Sequence, residues 1–176
     1  GCTSLKTVPE GLFAPMAGLK TTSEVFATSG MESIPAGLFA KNTLVTTFLK
    51  VFNGCTSLTS LPSNLFANNQ AVTTFESAFS ECTSLTSLPD GLFANNSKVT
   101  TYKTAFKGCT SLASVGKIFG TSTAKINFES AFEGCTSLKA LPAGFFDGLT
   151  GADSFKKTFY GCSALVTIPE KLFVKN

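Results

Sequence analysis

The cysteines are the residues of this chain best suited to chemistry, and their spacing is regular. Cys55, Cys82, Cys109, Cys135 and Cys162 follow one another at intervals of 27, 27, 26 and 27 residues, and Cys2 lies 53 residues before Cys55. Thiolates bind zinc when close pairs, about two to four residues apart, meet another such pair. None of these cysteines has a near neighbour in sequence. If each interval is one turn of a stacked chain, adjacent thiols lie about 5 Å apart, within disulfide range. Their side-chain vectors would then be parallel, which suits a bridge poorly. The spacing therefore points to a buried, reduced column in which Cys acts as a small hydrophobe, with disulfides or metal as the alternative. Such thiols lack the electropositive setting that makes a cysteine reactive.

Other catalytic chemistry has little material. The chain has no His, so a His-based triad, proton relay or imidazole metal ligand is absent. Its 11 carboxylates sit mostly at variable positions, and Glu76 and Glu129 share a column without forming a clustered pair. The phosphate-loop pattern G-x-x-x-x-G-K-[ST] does not occur. The expectation is a protein that is not an enzyme and carries no cofactor.

The elements that place these residues are repeats. One reads CTSLTSLPSNLFANNQAVTTFESAFSE from Cys55 and the next CTSLTSLPDGLFANNSKVTTYKTAFKG from Cys82. Repeats start near residues 2, 28, 55, 82, 109, 135 and 162, the last partial, with Thr28 in the place of a missing Cys. Counting Cys as position 1, apolar residues recur at position 4 (Leu58, Leu85, Leu112) and position 7 (Leu61, Leu88, Val115). Aromatic residues recur at position 12 (Phe39, Phe66, Phe93), at position 21 (Phe48, Phe75, Tyr102, Phe128, Phe155) and in the A-F pair (Phe52, Phe79, Phe106, Phe132, Phe159). No single turn can bury its own Phe and Leu, whereas stacked turns make columns of like residues and one continuous core.

The expected architecture is α/β: a leucine-rich-repeat-like right-handed solenoid, residues 1–176 forming a single repeat domain. L-T-S-L-P reads as a short parallel strand stopped by Pro, paired about 4.8 Å from its neighbours. Two helical turns are expected in each repeat, one at x-G-L-F-A-N-N and one at F-x-x-A-F-x-G, closed by Gly. In an alternative mapping V-T-T-F carries the strand. Repeat five shortens L-P-x-G-L-F to Val115-Gly116-Lys117-Ile118-Phe119, which predicts a kink or a shortened turn.

Composition narrows the partners. Charged residues are 14% of the chain, below the roughly 25% usual for soluble domains. All 14 basic residues are Lys, so the planar fork that reads guanine edges is missing and no nucleic-acid partner is expected. No apolar run is long enough to span a membrane. The chain starts without Met, shows no signal peptide, and begins and ends inside repeat motifs, so it reads as part of a longer array.

The A-F-x-G-C-T-S-L-T-S-L-P run, as in residues 78–89, 105–112 and 131–142, resembles the BspA-like leucine-rich-repeat proteins. It is similar above all to the related surface repeat family of unknown function abundant in mycoplasmas. The resemblance runs through every repeat and implies an extracellular or cell-surface protein used in attachment or protein binding. It brings no catalytic residues.

Two surfaces are candidates for binding. The residue after the position-21 aromatic reads Leu49, Glu76, Lys103, Glu129, Lys156 down the stack, and its alternating signs could fix register. The residue after the A-F pair varies as Lys107, Glu133 and Tyr160. These two columns give the candidate binding set: Lys103, Lys107, Glu129, Glu133, Lys156 and Tyr160. The expected partner is a protein or host surface component, with end-to-end self-association into a stalk as the second reading. The uniform Thr/Ser columns, such as Thr56, Ser57, Thr59 and Ser60, could form a sugar- or ice-binding face, or could simply bond backbone in tight turns.

Overall fold

A computed structural model describes residues 1–173; Val174, Lys175 and Asn176, the last of the partial seventh repeat, lie outside the described residues. Successive repeats lie on one another as coils, joined by backbone hydrogen bonds between residues about one repeat apart. Parallel pairing occurs where L-T-S-L-P was read as a strand. There β1 (Ser87–Leu88) pairs with β2 (Ser114–Val115), and Ala140 bridges Thr167 in the same column. The longer ladder follows the alternative mapping. Thr21, Thr47, Thr74, Thr101 and Asn127 bridge in sequence, and β3 (Ile126–Asn127) continues to β4 (Ala152–Ser154) with a register shift.

The expected helical turns do not form; the described residues contain no helix. Both segments are instead runs of four-residue turns. In coil three the amides of Ala78, Ser80 and Cys82 close turns on the carbonyls of Phe75, Ser77 and Phe79. The alternate amides, on Phe75, Ser77, Phe79 and Glu81, donate forward to the carbonyls of Thr101, Lys103, Ala105 and Lys107 at 3.1, 3.0, 2.9 and 2.7 Å. A helix would hold all these donors within its own coil. Here two left-handed residues per coil break the helical path. One is position 27, usually Gly; the other is position 23, filled by Glu24, Lys50, Ser77, Thr104, Ser130 and Lys157 at φ 51–58°. A left-handed residue with a side chain costs roughly 1–2 kcal/mol, which the forward bonds on either side offset.

The amides of the ladder run the other way. Thr46, Thr73 and Thr100 donate back to Lys20, Thr46 and Thr73 at 2.9 Å, and Thr86 and Ala113 donate back to Thr59 and Thr86. Each coil is therefore held from both sides.

Three aromatic columns fill the interior. The rings of Phe26, Phe52, Phe79, Phe106, Phe132 and Phe159 stack at 5.3–5.7 Å between centroids. The position-12 column from Phe13 to Phe173 stacks at 5.6–6.2 Å. The position-21 column from Phe48 to Phe155 stacks at 5.3–5.7 Å. Tilted contacts lock the columns together, as between Phe66 and Phe75 at 4.7 Å. Such separations suit offset aromatic packing.

The thiols line the same core. Cys55, Cys82, Cys109, Cys135 and Cys162 each donate from Sγ to the carbonyl of Phe26, Phe52, Phe79, Phe106 or Phe132, one coil back, at 3.1–3.2 Å. In coil two the Cys position belongs to Ser29, not Thr28. Ser29 is buried, its Oγ lies 3.3 Å from Cys55 Sγ, and Thr28 is exposed in the column of Gly54. The residue missing from that repeat is removed at Gly30, whose amide reaches back to the carbonyl of Cys2.

The shortened turn of repeat five forms. Gly91 and Phe93 donate to the carbonyls of Lys117 and Ile118 at 2.9 and 2.7 Å, and Phe93 bridges Phe119. Lys117 N–H donates to Asp90 Oδ1 at 2.6 Å.

Phe79 is fully buried between Phe52 and Phe106. Phe79→Ala should cost about 3–5 kcal/mol in urea unfolding; a loss under about 1 kcal/mol would show that the column does not hold the coils together.

Candidate functional site

Positions 22 and 26 each follow a core aromatic and in coils four to six keep partial or full exposure. Position 22 lies between a buried aromatic and the left-handed residue at 23, and position 26 between the buried A-F Phe and the left-handed residue at 27. In coils four to six these two columns carry the candidate residues. Lys103 Nζ lies 3.3 Å from Glu129 Oε2, and Lys156 Nζ lies 3.2 Å from Glu129 Oε1, so one carboxylate joins three coils. Beside them Lys107 Nζ lies 3.0 Å from Glu133 Oε1. The five charged candidates thus form one strip. Tyr160 is placed apart, 66% exposed in the last full coil, with Lys157 Nζ 5.6 Å from its ring centroid. In coils two and three the same outer column is used differently. Asn53 Nδ2 donates to Ser80 O and Ser80 Oγ to Lys107 O, so these side chains are spent on the next coil.

The Lys156 and Lys103 ammonium groups hold the Glu129 carboxyl below the usual range. For Glu133 the first cause is the Ser130 hydroxyl and the second Lys107. Exposed pairs of this kind add little to stability, so the strip is ordered rather than strongly bound. The buried thiols are the opposite case. Desolvation raises the Cys82, Cys109 and Cys135 thiols well above their ordinary value, which keeps them protonated donors. Among the described residues no three of Cys, Asp and Glu gather as a metal-binding group.

The threonine faces are committed to backbone. Thr83, Thr110 and Thr136 donate through Oγ1 to the carbonyl one coil back at 3.3–3.5 Å, and Thr59 and Thr86 do the same at 3.4 and 3.3 Å.

The sequence reading missed one internal column. Asn42, Asn69 and Asn96 are buried, and each Nδ2 clamps two carbonyls of the preceding coil at 2.8–3.2 Å: Phe13 and Met16, Phe39 and Asn42, Phe66 and Asn69. The signal available was the N-N pair, which reads equally well as a turn.

A depressed carboxylate binds fewer protons folded than unfolded. Stability is then full above the unfolded value, about pH 4.3, and is lost as pH falls through the lower folded value. Glu133→Gln should therefore make the acid-side stability profile shallower below about pH 4.3. An identical profile in both proteins would mean that Glu133 carries none of this dependence.

No family model matches the chain, and no curated protein matches it. Among solved structures, a leucine-rich repeat protein of T. pallidum is 16% identical over 93% of this chain and 78% of its own, with a TM-score of 0.40. The Drosophila Toll–Spatzle complex matches at 19% identity over 98% of this chain and 30% of its own, TM-score 0.36. A leucine-rich cell surface protein of Faecalibacterium prausnitzii matches at 14% identity over 94% of this chain and 69% of its own, TM-score 0.24.

Proposed function

We propose that the chain is a non-catalytic repeat module of a cell surface, of the BspA-like leucine-rich-repeat kind, that binds a protein partner through the charged strip of coils four to six. The carrying observation is the strip itself. Lys103, Glu129 and Lys156 hold one another across three coils, Lys107 and Glu133 lie alongside, and Tyr160 stands exposed in coil six, in the column of Lys107 and Glu133. Charges already ordered by pairing lose less side-chain entropy on binding. An exposed Tyr over a Lys is an anchor of the type that dominates interface energetics. Much of the remaining surface is Thr, Ser and Asn whose side chains bond the backbone of the preceding coil, and the other ion pairs, Lys6 with Glu32 and Lys50 with Glu24, stand singly in the first coils. Attachment to a host surface is the use such a module would serve.

A second reading is a stalk segment that stacks end to end. It is favoured by exposed apolar side chains in the first and last coils: Met16 and Val25 at one end, Val166 and Ile168 at the other, 46–85% exposed.

The test is capture of host surface and matrix proteins on the immobilised chain, repeated with Tyr160→Ala and with Glu129→Lys. Binding through the strip predicts a specific partner whose affinity falls at least about tenfold, 1.4 kcal/mol, in each variant. Equal capture by all three proteins sinks the strip as the binding face. Absence of any partner together with concentration-dependent sedimentation selects the stalk.

A further inference from the structure

The asparagine column stops at coil four. Ser122 follows Asn96 by 26 residues, in a repeat one residue short, and occupies the place of the next asparagine. Its Oγ donates instead to Ser97 O at 2.7 Å. The Phe93 and Asn96 carbonyls consequently lack the amide clamp that the equivalent pairs receive from Asn42, Asn69 and Asn96. In coil six the same place is filled by buried Leu149, so the column does not resume.

Two cavities meet at this break. The inner one is about 10 Å³, walled by aromatic rings and lined also by Asn96 and Tyr102. That is room for a single water-sized group. Asn96 is 4% exposed; its Nδ2 is spent on coil three, and its Oδ1 has no hydrogen-bond partner. Tyr102 is 3% exposed and stands where the other position-21 aromatics are Phe. Its hydroxyl has no hydrogen bond among the described residues, and burial alone raises the phenol above its ordinary value. Asn42 and Asn69 have unpartnered Oδ1 atoms too, since the next asparagine donates to their main-chain carbonyls, but neither lines this inner cavity.

The outer cavity is a recess of about 510 Å³ lined by Ser97, Thr121, Ser122, Thr123, Gly148 and Thr150. It shares Ser97, Thr121 and Ser122 with the inner one. Gly148 keeps it open: a Cβ there would meet Thr121 Cγ2 at 3.1 Å, and its φ of 89° disfavours any other residue. It is an open surface recess, similar in size to one of about 450 Å³ in the preceding coils. Its lining is hydroxyl and glycine with no charged side chain, so it suits a neutral ligand that donates and accepts hydrogen bonds.

We propose that the junction of coils four and five binds a small neutral polyol of monosaccharide size. One ligand hydroxyl enters the inner cavity between Asn96 Oδ1 and the Tyr102 hydroxyl, and the remainder lies on the threonine-lined recess. This site is separate from the charged strip and uses different hydroxyls from the uniform Thr/Ser columns.

The test is titration of the isotope-labelled full chain with glucose and with glycerol, followed by amide NMR. The expected result is saturable shifts at residues 96–97 and 120–123, with a millimolar Kd. Residues 43, 68 and 70 line a recess of about 450 Å³ in the preceding coils and should not shift. Tyr102→Phe supplies the residue its column otherwise carries and should fold normally while weakening binding at least about tenfold. Ser122→Asn should extend the amide clamp, fill the inner cavity, raise Tm and abolish the shifts. No saturable shift with either probe means that only water enters the inner cavity, and overturns the proposal. So does undiminished affinity in Tyr102→Phe, or equal shifts at residues 43, 68 and 70.

Discussion

Everything in this chain depends on backbone bonds that leave one coil for the next. Coil three gives four amides forward from its F-x-x-A-F-x-G segment and receives others back along the threonine ladder. A coil fastened this way cannot slip by one residue without breaking several bonds together. Like residues therefore have to lie over like residues. The aromatic columns, the thiols donating to carbonyls and the asparagine clamps are consequences of that register. Their burial supplies the hydrophobic stabilisation that an isolated coil of this size could not provide.

What the sequence made legible was periodicity, because apolar columns must repeat with the coil. The positions of Phe79, Cys82 and Leu85 in the core followed from counting alone. What it hid was backbone conformation. Ser77 and Thr104 adopt left-handed geometry, yet nothing in a Ser or Thr announces it, and the three- and four-residue steps of the apolar side chains imitate a helix. The assignment of Thr28 to the Cys place failed for a related reason. An interval of 26 says that a residue is missing but not where, and the structure removes it after Ser29 rather than before. Pro in L-T-S-L-P drew the strand to one segment, although the longer ladder lies in V-T-T-F.

The candidate binding residues were legible as variable charges in outward columns. Their pairing was partly legible too, since alternating signs down one column lead naturally to Lys103, Glu129 and Lys156 in contact. The second pair, Lys107 with Glu133, runs down the adjacent column, and Ser130 helps to hold its carboxylate. The Ser130 contact could not be seen in advance, because it depends on which side chains the stacking brings within reach; the break in the asparagine column is written in the sequence as Ser122 and Leu149, but it carries meaning only once the column is known.

The opposed directions of the inter-coil amides give the assembly a polarity. More N–H groups point toward the C-terminal end than toward the N-terminal end, because the four forward donors of each regular coil outnumber those that point back. Peptide dipoles cancel only in part along the axis. One end of the rod thus offers surplus hydrogen, the other surplus oxygen. Any coil laid against another within the stack must therefore run in the same sense for donors to meet acceptors, so the main chain alone makes the two directions along the axis unequal.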